Sequence, residues 1–175
     1  MGSAGAGTEV TVPVPIADFV LWLFLLTLGV ALGAGLYEAR VVLPQWTRPP
    51  SGPGFRWDAE LARQTDPGLK FWAFVTTFPL TALTLASLVL AWRTPSPRGA
   101  WWLTAAVIVL LERVATFGYF IPTMIRLQRD TAMPEAVVQA RVSRWLALNY
   151  VRNAAYLAAW VAAMLALRAP GGHDA

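Results

Sequence analysis

Long runs of apolar residues, separated by polar or proline-rich segments, dominate the chain. A helix needs about 20 predominantly apolar residues to cross a bilayer, and four segments reach that length. These segments are residues 16–43, 71–92, 101–127 and 145–167. Since each helix crosses once, consecutive helices must alternate in direction. The pattern predicts an all-α fold, an integral membrane antiparallel four-helix bundle over residues 16–167, with tails at 1–15 and 168–175.

The composition favours the same class of protein. Of 175 residues, 57% are hydrophobic and 14% are charged, whereas soluble domains carry about 25% charged residues. The N-terminal tail has no Lys or Arg before the first apolar segment, and a cleavable signal peptide begins with a basic region. We therefore expect the first span to be retained.

Several kinds of chemistry lack the residues they need. Cysteine is absent, and the single histidine, His173, lies in the polar C-terminal tail. Thiol nucleophiles, disulfides and iron–sulfur clusters are therefore excluded, and an imidazole-based haem or zinc site has no ligand at membrane depth. We expect no metal and no cofactor. The net charge of +4 belongs to loops, so no nucleic acid partner is expected.

Basic residues are concentrated at two of the three loops. They are Arg40, Arg48, Arg56, Arg63, Lys70, Arg126, Arg129, Arg141 and Arg144. Because Lys- and Arg-rich loops stay in the cytoplasm, we expect loops 44–70 and 128–144 to be cytoplasmic and both termini to lie outside the plasma membrane. The first loop is expected to hold a short interfacial helix near residues 57–63.

Each predicted span carries a stripe of polar or small residues at steps of three or four, the spacing that places side chains on one helix face. In chain order the stripes are Thr27, Ala31, Ala34 and Glu38; Lys70, Phe74, Thr77, Thr81 and Thr84; Glu112, Thr116, Tyr119, Thr123 and Arg126; and Trp145, Asn149, Arg152 and Tyr156, with Asn153 beside the last. In the first span Gly29, Gly33 and Gly35 permit close helix approach. Each helix thus has one face unsuited to lipid.

Alternating helices bring the polar ends of all four stripes to one side of the membrane. The groups expected to converge are Glu38, Arg40, Lys70, Thr77, Tyr119, Arg126, Arg144, Asn149, Arg152 and Asn153. Glu112 lies deepest, and a charge at the bilayer centre costs at least ~2.5–3.5 kcal/mol, so it must face a partner: Arg113, Arg126 or Arg152. The stripes predict a polar intramembrane pocket. Polar groups that only hold the helices together are the alternative.

Prolines and tryptophans refine this picture. Pro79 and Pro122 are predicted to bend their helices and widen the bundle, because proline removes a backbone hydrogen bond. The tryptophans at span ends are predicted to form interfacial belts. They are Trp46, Trp72, Trp92, Trp101, Trp102 and Trp145.

Three segments resemble, in order and spacing, the anthrone oxygenase-like family of small four-helix membrane proteins. They are LGAGLYEARVVLPQW, YFIPTMIRL and RWLALNYVRNAAYLAAWVAAMLAL. The family has a Gly-rich first helix ending in proline, an aromatic-x-x-Pro-Thr segment in the third helix and a Trp-x-x-Leu-His/Asn-x-x-Arg element in the fourth. The matching positions are Pro44, Tyr119, Pro122, Thr123, Trp145, Asn149 and Arg152. Oxygenases of the family often have histidine where this chain has Asn149, and asparagine cannot act as a base.

The resemblance implies an oxidoreductase of polyketide pathways that converts anthrones to anthraquinones, with dioxygen as co-substrate and no metal or flavin. Burial makes a carboxylate a stronger base, so Glu112 or Glu38 is expected to remove the acidic substrate proton. Arg152 or Arg126 would hold the enolate oxygen. The remaining substrate-binding candidates are Tyr119, Asn149, Trp145, Asn153, Thr116 and Thr77, with Phe74, Phe117 and Phe120 stacking on the rings.

Two functions of other classes stay open. One is a non-catalytic membrane subunit whose basic loops bind anionic lipid or a protein partner. The other is a small transporter component in which Glu112 relays a proton or cation. A single four-helix protomer is small for a translocation path, so that function requires a homo-oligomer. Membrane lipids and a small hydrophobic aromatic ligand are the other expected partners.

Overall fold

The computed structural model of the protein describes residues 14–48, 55–130 and 132–170. Most of the predicted N-terminal tail and His173 lie outside these residues. Apart from one pair of two-residue strands, the described chain is helical. Four of its helices are long and apolar enough to cross a membrane, as the apolar pattern predicts.

The elements follow one another with short connections. Helix α1 consists of α-helical Val14–Tyr37, a π-helical turn at Glu38–Val42 and α-helical Leu43–Trp46. Strands β1 (Thr47–Arg48) and β2 (Arg56–Trp57) pair antiparallel, and helix α2 is Ala59–Thr65. Helix α3 consists of π-helical Gly68–Thr77 and α-helical Phe78–Arg93. Helix α4 consists of Arg98–Ala115, π-helical Thr116–Phe120 and Ile121–Arg129, and helix α5 is Glu135–Arg168.

The sequence predicted the short helix of the first loop but overestimated the length of the last loop. The short helix expected near residues 57–63 is α2, where Asp58 caps the N-terminus by accepting a hydrogen bond from Leu61 N at 2.9 Å. The expected loop 128–144 is much shorter than predicted, because α5 begins at Glu135. The first turns of α5 lack the long apolar run that marks a span, although their residues favour a helix.

Three long helices pass through a wide, π-helical turn that ends two residues before a proline. In each, the N–H of the residue preceding the proline reaches the carbonyl five residues back: Leu43 to Glu38, Phe78 to Ala73, and Ile121 to Thr116. A proline ring clashes with the carbonyl four residues earlier and offers no N–H, and a widened turn relieves this conflict. The sequence predicts disturbances at Pro79 and Pro122; the structure adds a third at Pro44.

Each long helix packs on two neighbours, in the order α1, α3, α4, α5 and back to α1. Their shared apolar core includes Leu21, Phe24, Leu80, Trp102, Val109 and Ala159. A second cluster under α2 contains Leu43, Trp46, Ala62, Phe120 and Trp145. The second cluster includes Phe120 of the wide turn of α4, so this turn packs against the region under α2.

The tryptophan prediction is wrong for most of its residues. Trp46, Trp102 and Trp145 are 1%, 0% and 5% exposed, and they pack inside the protein rather than on its outer surface. Trp92 and Trp101, at 79% and 43% exposed, keep the outward position that a belt requires. Position near a span end does not determine which face of the helix a tryptophan occupies.

Candidate functional site

The wide turns of α1, α3 and α4, together with α5, line a cavity of about 540 Å³. Pockets for small organic ligands have volumes of ~300–1,000 Å³. Its aromatic wall residues are Trp46, Trp72, Phe78, Phe117, Phe120 and Trp145. Its polar wall residues at the level of the turns are Glu38, Thr76, Thr77, Arg113, Thr116, Arg152 and Tyr156. Arg63, Asp66, Gln128 and Arg129 also line the cavity, so polar groups occur both at the wide turns and toward α2.

A carboxylate and a guanidinium from different helices face each other across this cavity. Glu38, in the wide turn of α1, accepts a hydrogen bond at Oε1 from Trp72 Nε1 at 3.0 Å. Its Oε2 lies 3.5 Å from Arg152 Nη2, longer than the ~2.7–2.9 Å of a charge-assisted hydrogen bond. We call Glu38 and Arg152 the open pair, because the carboxylate keeps acceptor capacity on the cavity side.

Two aromatic rings hold the Arg152 side chain. Its guanidinium carbon lies 5.5 Å from the ring centre of Trp72 and 4.8 Å from that of Phe120, within the ~6 Å range of cation–π attraction. Arg152 Nε is buried and has no hydrogen-bond partner among the described residues. Arginine stays charged when buried, so Arg152 can donate to an anionic ligand in the cavity.

The second carboxylate, Glu112, lies in a saturated arrangement beside the cavity. Its Oε1 accepts from Thr116 Oγ1 at 2.6 Å, and its Oε2 accepts from Arg113 Nε at 2.6 Å. Arg113 Nη2 also donates to the hydroxyl of Tyr156 on α5, and its guanidinium carbon lies 5.7 Å from that ring centre. Glu112 and Arg113, which we call the closed pair, are each 5% exposed. The partner of Glu112 is thus its sequence neighbour Arg113.

The structure contradicts the single polar stripe predicted for the third span. The turn Thr116–Phe120 holds more residues than an α-helical turn, and one extra residue rotates everything after it by about 100°. Glu112 and Thr116 keep the inward face, but past the turn the cavity wall continues with Phe120 and Met124. The rest of the stripe, Tyr119, Thr123 and Arg126, lines a separate groove between α4 and α5.

The other predicted site residues divide into three groups. On the cavity wall are Glu38, Arg152, Trp145, Thr116 and Thr77. Lining the groove are Tyr119, Arg126 and Arg144. Asn149 and Asn153 are 1% and 3% exposed and lie away from the cavity wall, with no hydrogen-bond partner for either amide among the described residues.

Asn153 is held against the backbone of α1. A Cβ added to Gly35 would overlap Asn153 Oδ1, so the glycine permits close approach of α1 and α5 next to Arg152. Gly33, in contrast, has no neighbour within 4 Å of an added Cβ. One of the glycines predicted to allow close helix approach therefore bears directly on the site.

Some predicted contributors do not converge on the cavity. Arg40 and Lys70 are exposed, and Lys70 Nζ donates to Gln64 O at 2.7 Å. Phe74 is 70% exposed and lies outside the wall, whereas the predicted stacking residues Phe117 and Phe120 line it. Because π-helical Gly68–Thr77 contains all of α3 before Phe78, α-helical stepping misassigns the faces there.

One side of the cavity opens between α3 and α4. The large apolar wall residues that are also more than a third exposed all belong to these helices: Leu69, Phe78, Phe117, Ile121 and Ile125. Farther along, Phe78–Arg93 packs closely on Arg98–Ala115, so the gap is confined to the level of the wide turns. The rim of this lateral opening is apolar.

Trp72 and Arg113 are among the cavity residues that the sequence did not predict there. Trp72 was expected in a belt, although its indole instead donates to Glu38. Among the described residues, no three His, Cys, Asp or Glu side chains cluster closely enough to hold a metal ion. The chain matches none of the protein-family models, curated proteins or solved structures with which it was compared, so the resemblance to the anthrone oxygenase-like family stays a prediction.

Proposed function

We propose that the chain is an integral membrane four-helix bundle that acts as a cofactor-independent, anthrone oxygenase-like monooxygenase on a hydroxylated polycyclic aromatic substrate. The observation that carries this proposal is the open pair. Glu38 and Arg152 face the same aromatic-walled cavity, and the 3.5 Å separation of Glu38 Oε2 and Arg152 Nη2 leaves both groups able to act on a ligand.

The outer surface supports the membrane part of the proposal. Large apolar side chains point outward along all four long helices, including Phe19, Leu85, Leu111 and Val151 at 63%, 55%, 66% and 63% exposed. A water-soluble monomer rarely exposes contiguous apolar surface of this extent. The positive-inside tendency favours an orientation with the cavity end of the bundle toward the cytoplasm.

The cavity suits a flat, weakly polar molecule. Phe117, Phe120 and Trp72 offer ring faces or edges to an aromatic ligand. The apolar lateral opening between α3 and α4 would admit such a molecule from the hydrocarbon layer. An anthrone dissolves in that layer, so substrate delivery needs no passage through water.

The chemistry requires a base and an anion-stabilising group. The central methylene of an anthrone is acidic because loss of a proton yields an aromatic phenolate. Glu38 would accept this proton, and Arg152 would stabilise the phenolate oxygen, with its guanidinium already fixed between two rings. Closing the lateral opening on a bound substrate would exclude water and strengthen both interactions.

The remaining steps balance without an external reductant. The phenolate passes one electron to dioxygen, and the resulting radical and superoxide combine to form a carbon–oxygen bond. The peroxide takes a proton from Glu38. Glu38 then removes the second methylene proton while the oxygen–oxygen bond breaks, giving the ketone and hydroxide, and the hydroxide regains that proton as water. Anthrone and dioxygen thus become anthraquinone and water.

The closed pair is a poor candidate for the same role. Both oxygens of Glu112 already accept hydrogen bonds at 2.6 Å, and Glu112 does not line the cavity. A proton accepted by Glu112 would have to displace Thr116 or Arg113. We therefore assign the base to Glu38 and a framework role to Glu112.

The test is dioxygen consumption by the purified protein supplied with a panel of anthrones. Wild-type protein should raise uptake above the spontaneous rate and release anthraquinone. Glu38→Gln and Arg152→Ala should each return uptake to that rate, since general-base catalysis contributes about 10²–10⁴-fold. Because both side chains face the cavity, neither substitution should change the helical content of the protein or its solubility in detergent.

Phe74→Leu provides a matched control, because Phe74 is an exposed aromatic residue of the same wide turn as Trp72. It should retain wild-type uptake. Folded wild-type protein that gives no uptake above background with any anthrone would overturn the oxygenase assignment. Proton flux into liposomes driven by the same compounds would instead favour the transporter alternative.

A further inference from the structure

The polar residues that the wide turn of α4 rotates away from the cavity build a second site. They line a groove of about 620 Å³ between α4 and α5. From α4 come Gly118, Tyr119, Pro122, Thr123 and Arg126, and from α5 come Ala136, Val137, Ala140, Arg141 and Arg144. In each set, two adjacent residues recur every four positions, and the last member is an arginine. This spacing places each set on one face of its helix, and the two faces form the two walls of the groove.

The groove is positively charged and has a small-residue floor. Arg126, Arg141 and Arg144 are all exposed, and none of the three makes an ion pair with another described residue. The lining contains no Asp or Glu. Gly118, Ala136 and Ala140 leave room between the helices, so a ligand of headgroup size can approach the backbone.

We propose that this groove binds the phosphate headgroup of an anionic phospholipid. Three guanidinium groups match a phosphate in charge and in donor geometry, and the hydroxyls of Tyr119 and Thr123 can donate to the same oxygens. Basic pockets between membrane helices on the cytoplasmic side bind anionic headgroups. Val137, in the wall, is 39% exposed and provides an apolar contact for an acyl chain.

The inference rests on the membrane-embedded part of the proposed function and not on the oxygenase chemistry. Helix α4 separates the cavity from the groove. In its wide turn, Phe120 lines the cavity and Tyr119 lines the groove. A lipid in the groove would therefore contact the same turn that shapes the cavity. Lipid binding can be measured without any substrate, which keeps the two proposals distinguishable.

The experiment is a native mass spectrometry titration of the full chain in non-ionic detergent. Phosphatidylglycerol and phosphatidylcholine with identical acyl chains are the two probes. Wild-type protein should bind one phosphatidylglycerol at least about tenfold more tightly than phosphatidylcholine, since each basic residue near an anionic headgroup contributes about fivefold. The triple variant Arg126→Gln, Arg141→Gln, Arg144→Gln should bind the two lipids equally.

A second triple variant, Arg40→Gln, Arg93→Gln, Arg168→Gln, is the control for net charge, because these arginines are exposed and lie outside the groove lining. It should keep the preference for phosphatidylglycerol within about twofold. Equal losses in both triple variants would overturn the proposal by showing a nonspecific charge effect. So would equal binding of both lipids by the wild-type protein.

Inorganic phosphate distinguishes a headgroup site from a site for the free ion. Millimolar phosphate should leave phosphatidylglycerol bound, because the acyl chains hold the lipid in addition to its phosphate. Displacement of the lipid by phosphate would contradict the proposal and assign the groove to a soluble anion. Thermal unfolding of both triple variants should match wild type, since all six arginines are exposed.

Discussion

The open pair and the closed pair contain the same two residue types in different settings. Glu112 and Arg113 are sequence neighbours joined by a 2.6 Å hydrogen bond, and Thr116 completes the coordination of the carboxylate. Glu38 and Arg152 come from opposite ends of the chain, and their closest atoms are 3.5 Å apart. In the closed pair both carboxylate oxygens accept short hydrogen bonds, although Arg113 Nη1 has no partner among the described residues. In the open pair the carboxylate keeps acceptor capacity that faces a cavity.

The difference separates a buried ion pair that stabilises the fold from one that can act on a ligand. Removing one partner of a tightly bonded buried pair leaves an uncompensated charge, so the closed pair must be kept whole for stability. The open pair has weaker mutual attraction and an additional support, because Trp72 bonds Glu38 and stacks on Arg152. We therefore expect mutations in the closed pair to affect unfolding and mutations in the open pair to affect ligand binding and turnover.

The largest expected effect on stability comes from Arg113→Met. It leaves Glu112 buried without its guanidinium partner and should cost about 3–5 kcal/mol in the free energy of unfolding. The double variant Glu112→Gln, Arg113→Met should recover most of that loss. Arg152→Met, measured by the same unfolding assay in detergent, should cost less, about 2 kcal/mol, because it removes a 3.5 Å ion pair and two cation–π contacts while Trp72 still donates to Glu38. Equal losses for Arg113→Met and Arg152→Met would remove the distinction between the pairs.

Gly35→Ala tests the backbone contact that holds α5 beside α1 at the open pair. The new methyl group would overlap Asn153 Oδ1, and overpacking of this kind costs about 1–3 kcal/mol. Adding Asn153→Ala should restore thermal stability by removing the overlap. Gly33→Ala is the matched control, because an added Cβ there has no neighbour within 4 Å. A loss at Gly33 as large as that at Gly35 would refute the close-contact explanation.

Arg152→Lys should weaken binding while keeping the charge. A lysine cannot donate through a planar fork or stack in the same way between Trp72 and Phe120, so affinity for anthraquinone, the reaction product, should fall about tenfold. Fluorescence quenching of the cavity tryptophans measures this affinity. Arg113→Lys, the corresponding change in the closed pair, should lower stability with little change in affinity. The reverse assignment of the two effects would contradict the account.

The smallest effect is expected from single hydrogen bonds to the two carboxylates. Trp72→Phe removes the donor to Glu38 Oε1, keeps a ring against Arg152, and should slow turnover about three- to tenfold. Thr116→Val removes the donor to Glu112 Oε1 and should lower the unfolding temperature without a comparable change in turnover. Steady-state kinetics and thermal unfolding on the same preparations separate these outcomes.

The four long helices were predictable because each coincides with an apolar run of the length that a bilayer span needs. Four long helices occur where four runs occur, and the short helix in the first loop was also foreseen. The start of α5 was not, since residues 135–144 are helical although charged and polar residues interrupt their apolar ones. Apolar patterning detects the part of a helix that suits lipid rather than the full helix.

The site was only partly predictable because α-helical stepping fails across a π-helical turn. Glu38, Arg152, Trp145, Thr116 and Thr77 reach the cavity wall as expected, whereas Tyr119 and Arg126 do not, because the turn before Pro122 rotates them away. The recurring signal was available: Pro44, Pro79 and Pro122 each follow a wide turn by two residues. If each proline had been read as a sign that the helix face rotates just before it, the stripe of the third span would have been divided correctly.

The partners of the two carboxylates illustrate a second limit. Helical spacing places Arg113 on a different face from Glu112, yet a long, flexible arginine side chain reaches back to its neighbour and still donates to Tyr156. The pairing of Glu38 with Arg152 joins the first and last long helices. Neither side-chain reach nor the relative rotation of two packed helices can be read from residue spacing.

The central claim is that Glu38 is the base and the closed pair is framework. The most direct test is to mix anthrone with the protein under strictly anaerobic conditions and record the absorption of the anthrone anion. Wild type and the double variant Glu112→Gln, Arg113→Met should both accumulate the bound anion at a pH where free anthrone stays protonated, and Glu38→Gln should accumulate none. An anion that forms in Glu38→Gln but not in the double variant would contradict the account.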